Sequence, residues 1–213
     1  MLQKNNFQFL IFNFQFKKVN INELKEKAYQ IACSHGWYED KDMSVLHCLT
    51  LVMSEIGEVV NADRSDKYAE RQKFENALLN SEVSEDLWKV SFESFIKGSV
   101  EDEMADVVIR MLSLAAHLKM TLPEELFEDK FIAQQIVALM EIEEDAKKRL
   151  SLTEELFVMF ESVVNFTKEG QPLYYPFLHV FIMARRRNID LHWHIEQKMK
   201  YNELRPYKHG KKY

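Results

Sequence analysis

The chain contains only 5 Gly and 4 Pro among its 213 residues, and this scarcity of turn-forming residues is the strongest constraint on its fold. A β-sandwich or barrel needs a tight turn roughly every ten residues, usually built from glycine or proline. Hydrophobic residues make up 46% of the sequence, enough to bury a core in a chain of this length. The sequence therefore predicts an all-α protein, a bundle of long helices.

Apolar residues follow a helical period from Ile21 onward, and the pattern breaks where glycine or proline occurs. The predicted helices span 21–35, 43–63, 67–96, 100–119, 123–149, 152–168, 173–187 and 190–204. Three of these starts have the spacing of a capping box, in which a hydroxyl residue and an acidic residue cap each other. They are Ser99 with Asp102, Thr121 with Glu124, and Ser151 with Glu154. No linker divides the segments, so residues 21–204 are predicted to form one domain.

The two ends of the chain depart from the helical pattern. Residues 1–20 carry phenylalanine at alternate positions from Phe12 to Phe16, which is typical of a short strand or a docking arm. The alternative is an extension unrelated to the chemistry. Residues 205–213 are predicted to be a basic tail, of which 208–213 is expected to be loosely ordered.

Charge, cysteine use and hydropathy narrow the function classes. The net charge of −6 argues against a surface that binds polymeric nucleic acid through its phosphates. Cys33 and Cys48 lack the spacing of a disulfide framework or a thiolate zinc site, which fits a reducing compartment. Neither a signal-peptide pattern nor a run of about 18 apolar residues is present. We therefore expect a cytoplasmic protein with no membrane partner.

The candidate metal-binding residues lie in two acidic motifs, Glu55-Ile-Gly-Glu58 and Glu103-Met-Ala-Asp106. Residues at i and i+3 lie on one helix face about 4.5 Å apart along the axis, so each carboxylate pair can hold a cation. Glu55 borders the apolar stripe of its helix and is predicted to lie at the edge of the core. Gly57 in a helix interior costs roughly 1 kcal/mol relative to alanine, which predicts a close approach by another group.

The predicted helix 100–119 is apolar around most of its circumference, with one narrow polar stripe. That stripe consists of Glu103, Asp106, Arg110, Ser113 and His117. A polar stripe on a buried helix is expected to line an internal site, because buried charges need partners. Carboxylates converging from two helices favour a hard divalent cation, Mg²⁺ first and Mn²⁺ as the alternative. The alternative without a metal is that the acidic residues only complement the helix dipole at this N-terminus.

The C-terminal segment supplies positive charge. Lys198, Asn202 and Arg205 follow i, i+4, i+7 spacing, so one helix face could present them to a phosphate. A solvated basic end is the alternative. Trp37, just after the Gly36 break, could stack on a nucleobase, although packing is the commoner role for such a residue.

With these residues in view, the sequence resembles the MazG-like, all-α nucleoside triphosphate pyrophosphohydrolases, a superfamily that includes the dimeric-type dUTPases. The resembling segments are residues 34–64, 99–118 and 189–213. The resemblance implies hydrolysis between the α and β phosphates of a nucleoside triphosphate, which releases a monophosphate and pyrophosphate. It also implies Mg²⁺ bound by the E-x-x-E and E-x-x-D motifs.

The family motifs map onto Glu55, Glu58, Glu103 and Asp106 in this sequence. Glu55 or Glu58 would orient or deprotonate the attacking water. The phosphates would be clamped by Arg110, Lys198, Asn202 and Arg205.

Two insertions depart from the family pattern, one between Glu58 and Glu103 and the other over about 120–188. A weak internal repeat, Val59-Val60-Asn61 against Val163-Val164-Asn165, suggests that residues 120–204 are a degenerate second half without the metal ligands. The chain would then be a pseudo-dimeric monomer, and otherwise a homodimer. Two other functions stay open: a dUTPase specific for dUTP, and a non-enzymatic interaction protein whose helices a metal stabilises.

Overall fold

The computed structural model of the protein describes residues 20–39, 43–79, 83–142, 150–168, 170 and 172–210. Within these ranges the chain is all-helical, which confirms the predicted fold class. The α-helices are α1 (Ile21–Ser34), α2 (Val45–Arg64), α3 (Arg71–Leu79), α4 (Glu85–Phe95), α5 (Val100–His117), α6 (Asp129–Ile142), α7 (Leu152–Lys168), α8 (Tyr174–Arg186) and α9 (Leu191–Glu203). Two short 3₁₀ helices, Glu124–Phe127 and Tyr207–Gly210, complete the described elements.

Helix α5 is the centre of the bundle. It packs against α1, α2, α8 and α9, and twelve of its 18 residues are buried. This burial follows from the sequence, since apolar residues surround α5 except along the polar stripe. The stripe is thereby enclosed by neighbouring helices.

A second, smaller core holds α3 and α4 against α9. We call these two helices, residues 71–79 and 85–95, the inserted hairpin. Phe92 stacks on Trp88 at a centroid distance of 5.3 Å and on Tyr201 at 4.8 Å. Phe74 and Ile96 complete the buried cluster. The insertion before Glu103 thus forms a helical pair anchored on the last helix of the bundle.

The predicted single helix over 67–96 is wrong, because the chain forms α3 and α4 there. Helix α4 begins at its own N-cap, where the Ser84 hydroxyl accepts a hydrogen bond from the Leu87 N–H. The predicted helix over 123–149 is also wrong at its start. Residues Glu124–Phe127 form a 3₁₀ turn, and extended backbone at Glu128 (ψ 118°) delays α6 to Asp129.

Of the three predicted capping boxes, the structure confirms one in full. At α7, Glu154 accepts from the Ser151 N–H and Ser151 accepts from the Glu154 N–H. At α5, Ser99 accepts from the Asp102 N–H, but the Asp102 carboxylate accepts from the Gly98 N–H instead of returning the bond to Ser99. The box predicted at Thr121 is wrong, since Pro123 holds the N-cap position of the 3₁₀ turn without a side-chain cap.

The C-terminal segment contacts the loop after α1, and the loose order expected at its end stays a prediction. Residues Tyr207–Gly210 form a 3₁₀ helix, and the Lys208 N–H donates to the His35 carbonyl at 2.9 Å. Tyr207 lies against Gly36, where an added Cβ would come within 2.3 Å of its ring. The arm predicted at 1–20 lies outside the described residues except for Asn20, which caps α1.

The predicted internal repeat relates α2 and α5 to α7 and α8, and these two pairs of helices lie next to each other. Helices α7 and α8 pack together, α7 packs on α2, and α8 packs on α5. The positions corresponding to the four carboxylates are Met159 and Ser162 in α7, Pro172 just before α8, and Tyr175 in α8. The repeat itself stays a prediction.

Helix α2 is, among the described residues, the one helix with the length and apolar content of a membrane span. Its mean hydropathy reaches 1.3. The same helix carries Glu55 and Glu58 and packs against α5 and α7 in the bundle.

Candidate functional site

A cleft of about 400 Å³ opens between α1, α2, α5, α9 and the connection from α4 to α5. The nine residues predicted to bind metal, catalyse the reaction or bind substrate all line this cleft. They are Trp37, Glu55, Glu58, Glu103, Asp106, Arg110, Lys198, Asn202 and Arg205.

Three of the four predicted ligands form a tight carboxylate cluster. One oxygen each of Glu55, Glu103 and Asp106 lies within 4.8 Å of the others, and all three residues are half-buried. Glu58 is more exposed and lines the cleft outside this cluster. The donor set of three convergent carboxylates fits a single hard divalent cation such as Mg²⁺.

The core positions these carboxylates. Ile56 of α2 and Met104 of α5 are fully buried, next in sequence to Glu55 and Glu103 respectively. Each carboxylate therefore sits at the edge of the α2 and α5 interface, as the sequence predicts for Glu55. The close approach predicted at Gly57 is wrong for the described residues, because a Cβ there would meet nothing within 4 Å.

Burial perturbs the Glu103 carboxyl most clearly. The pKa of this carboxyl is raised to about 8, mainly by burial; Lys198 lowers it, and the carboxylates of Asp106, Asp102 and Glu55 raise it. A carboxyl that burial and acidic neighbours keep partly protonated near neutral pH is stabilised in its charged form by a bound cation. The electrostatics of the cleft thus match the ligand chemistry of the cluster.

Lys198 lies beneath the cluster as a buried counter-ion. Its Nζ donates to Oδ2 of Asp102 at 2.6 Å and lies 2.8 Å from Oδ2 of Asp106. Burial opposes the charged ammonium, but Asp106, Asp102 and Glu103 outweigh that effect and raise the Lys198 pKa. Lys198 is therefore engaged with carboxylates, and its predicted contact with phosphate is not favoured by this geometry.

Asp102 is a site residue that sequence reasoning missed. It is 0% exposed, and its carboxylate joins Lys198 to the backbone of Gly98, where the Gly98 N–H donates to Oδ2 at 2.8 Å. Within the acidic run that opens α5, its expected role was only to cap the helix. Its burial depends on the position of α9, which local sequence does not reveal.

Arg110 bridges two predicted site residues. Its Nε donates to Oε1 of Glu55 at 3.0 Å, and its guanidinium lies 5.1 Å from the centroid of the Trp37 ring. Trp37 is only 7% exposed. The structure therefore favours the packing role for Trp37 over stacking on a nucleobase.

Asn202 and Arg205 lie near the α9 end of the cleft. The Asn202 side chain is buried, and its Oδ1 has no hydrogen-bond partner among the described residues. The carbonyl of Arg205 lies 2.9 Å from Nε2 of His35, a contact that joins the C-terminal segment to the loop after α1. Their roles toward phosphate stay predictions.

The cleft has an apolar end that the sequence did not reveal. It is lined by Ala28, Ile31, Ala32, Tyr38, Met43, Cys48, Leu51, Ile109 and Ser113. The Ser113 hydroxyl donates to the Tyr38 hydroxyl at 3.0 Å. Burial raises the pKa of the Tyr38 phenol and of the Cys48 thiol, so both groups are neutral at physiological pH.

Comparisons with family models, with curated proteins and with solved structures found no match for this chain.

Proposed function

We propose that this protein is a Mg²⁺-dependent nucleotide pyrophosphohydrolase of the MazG-like class. It would cleave a nucleoside triphosphate between the α and β phosphates and release a nucleoside monophosphate and pyrophosphate. Mn²⁺ is the alternative metal.

The observation that carries this proposal is the cluster of Glu55, Glu103 and Asp106, with oxygens within 4.8 Å, inside a cleft that is also lined by Arg110 and Arg205. Carboxylates that bind a divalent cation, together with guanidinium groups that bind phosphate oxygens, suit a polyphosphate substrate. The apolar end of the cleft offers a place for the nucleoside.

Glu55 and Glu58 of α2 have different surroundings, so they are suited to different roles in the reaction. Glu55 is paired with Arg110 at 3.0 Å and belongs to the cluster, so it is suited to hold the metal. Glu58 lines the cleft outside the cluster and is suited to accept a proton from the attacking water.

A bound Mg²⁺ would polarise the phosphate oxygens and lower the pKa of a coordinated water. Attack of the water oxygen on the α-phosphorus breaks the bond from that phosphorus to the α–β bridging oxygen. The bridging oxygen leaves with pyrophosphate, and Glu58 receives the proton of the water. The side chains of Arg110 and Arg205 would orient the phosphate oxygens.

The test is pyrophosphate release from a panel of ribo- and deoxyribonucleoside triphosphates, with Mg²⁺ and with chelator. We expect Mg²⁺-dependent release by the wild-type chain. Turnover confined to dUTP would identify the dUTPase alternative. Absence of turnover for every nucleotide, with Mg²⁺ still raising the Tm, would instead support the metal-stabilised interaction protein.

A further inference from the structure

The cleft runs along α5 and has two chemically different ends. Ser113 lies ten residues after Glu103 on this helix, a separation of roughly 15 Å along the axis. Ser113 donates to the neutral Tyr38 hydroxyl, which has Cys48 and Tyr29 nearby. Glu103 instead has the charged side chains of Lys198, Asp106, Asp102 and Glu55 around it. A substrate that places a phosphate at the carboxylate cluster and its nucleoside at the apolar end must direct its remaining phosphates toward the N-terminus of α5.

Lys67 lies at that N-terminal end. Gly98, with φ +75°, begins the turn into α5, and a Cβ built on it would lie 2.7 Å from Nζ of Lys67 and 3.9 Å from Oε1 of Glu103. The ammonium and the cluster carboxylate are therefore close neighbours across Gly98. A side chain at position 98 would occupy the space through which Lys67 reaches the cleft.

Lys97 is held at the same end by the inserted hairpin. Its Nζ donates to the Tyr201 hydroxyl at 2.9 Å, and that hydroxyl donates to Oε1 of Glu93 at 2.6 Å. Tyr201 is buried in the small core that anchors the hairpin on α9. The ammonium also lies 3.9 Å from Oε1 of Glu93, which lines the same cleft. These two partners orient Lys97, and because an ammonium has three donors, a phosphate oxygen can be bound beside them.

We propose that Lys67 and Lys97 form a subsite for the β and γ phosphates of the substrate, and that the inserted hairpin exists to complete it. The proposal rests on the proposed function, since the cluster at Glu103 fixes where the α and β phosphates lie. Two ammonium groups on the far side of the cluster from the apolar end match the charge of a pyrophosphate group. The subsite would favour triphosphates over diphosphates and hold the pyrophosphate product.

The experiment compares Lys67→Met and Lys97→Met, which flank the inserted hairpin, with Lys73→Met on its α3 helix. Lys73 lies outside the cleft lining and pairs with Glu70, so it is the control. Each protein is assayed for kcat and KM with a triphosphate substrate and its diphosphate. Binding of pyrophosphate in the presence of Mg²⁺ is measured by calorimetry. Circular dichroism verifies the helical content of each variant.

We expect each cleft variant to raise the KM for the triphosphate and the Kd for pyrophosphate by about tenfold, and Lys73→Met to change neither. The KM for the diphosphate should rise less, and kcat should change by less than about threefold. Values for Lys67→Met and Lys97→Met that match the control would overturn the subsite while leaving the proposed function intact.

The wild-type chain separates the two proposals. Lysine-dependent binding of pyrophosphate without turnover of any nucleotide would keep the phosphate subsite and reject the catalytic function. Absence of both turnover and pyrophosphate binding would reject both. Tyr201→Phe provides a further check, since loss of its hydroxyl should weaken pyrophosphate binding by less than Lys97→Met does.

Discussion

Arg110 donates from Nε to Oε1 of Glu55 at 3.0 Å and thereby joins the two helices that carry the carboxylate cluster. The arginine neutralises part of the charge that a divalent cation would otherwise meet. It stands one helical turn beyond Asp106, on the path from the cluster to the apolar end of the cleft. Removal of the Arg110 guanidinium is therefore expected to strengthen metal binding and to weaken nucleotide binding.

Arg110→Met should strengthen Mg²⁺ binding in the absence of nucleotide, by a few-fold, because Glu55 loses a competing cation. The same substitution should raise the KM for the nucleotide, since a phosphate ligand is lost. Calorimetric titration with Mg²⁺ and steady-state kinetics measure the two effects. A variant with weaker metal binding and unchanged KM would contradict the assignment.

Glu58→Gln should abolish pyrophosphate release, because the amide cannot accept a proton from water. Mg²⁺ binding should change little, since Glu58 lies outside the three-carboxylate cluster. The matched control is Glu161→Gln on the exposed face of α7. Retention of the full rate by Glu58→Gln, with its helical signal intact, would show that another group activates the water.

Metal binding should depend on pH through Glu103. Its pKa of about 8 in the folded protein, against an ordinary value of 4.5, means that it carries a proton at neutral pH without metal. Mg²⁺ must displace that proton, so affinity should rise as the pH increases toward about 8, with proton uptake by the buffer detectable by calorimetry. Glu103→Gln should lose this dependence, and an affinity that is flat with pH in the wild-type chain would contradict it.

The raised pKa of Glu103 also predicts how the stability of the metal-free protein depends on pH. Between pH 4.5 and about 8 the folded, metal-free chain keeps a proton that the unfolded chain has released. The free energy of unfolding should therefore fall as the pH rises through this window. Thermal unfolding with chelator should show a decrease in Tm that Glu103→Gln reduces and Glu161→Gln does not.

Removal of the buried ammonium should destabilise the fold. Lys198→Met leaves Asp102, which is 0% exposed, and Asp106 without their counter-ion, at a cost of about 3–5 kcal/mol. The double variant Lys198→Met with Asp102→Asn removes charge from both sides and should recover part of that loss. Chemical denaturation of the single and double variants measures the coupling, and purely additive losses would disprove it.

Docking of the C-terminal segment should depend on Gly36. Its φ of +80° and the ring of Tyr207, 2.3 Å from an added Cβ, make Gly36→Ala costly in two ways. Gly170→Ala is the matched control, because its φ is +65° but nothing lies within 4 Å of the added Cβ. Backbone strain alone costs about 1–2 kcal/mol, so Gly36→Ala should lower the Tm more than the control.

Limited proteolysis supplies a second measurement for this segment. Tryptic cleavage after Lys208 should accelerate in Gly36→Ala and stay unchanged in Gly170→Ala. Tyr207→Ala combined with Gly36→Ala should relieve the part of the stability loss due to the clash. Equal Tm values for Gly36→Ala and Gly170→Ala would show that Tyr207 does not constrain position 36.

Periodicity alone was enough to predict the features that depend on one helix. The polar stripe of α5 and the spacing of Lys198, Asn202 and Arg205 follow from 3.6 residues per turn. All of these residues except His117, at the end of the stripe, line one cleft. The break between α3 and α4 had a usable signal, Ser84 followed by two acidic residues, that hydrophobic periodicity obscured. Residues whose role depends on a partner from another helix, such as Asp102, were missed.

The sequence by itself determined an all-helical chain and two carboxylate pairs on helix faces, because both are consequences of local composition and helical pitch. Tertiary packing decided that Glu55 joins Glu103 and Asp106 while Glu58 stays apart, and that Lys198 is buried beneath them. It also brought Lys67 and Lys97 to the same cleft. These outcomes depend on the relative placement of whole helices, which is fixed by the burial of apolar surface and not by residues adjacent in the chain.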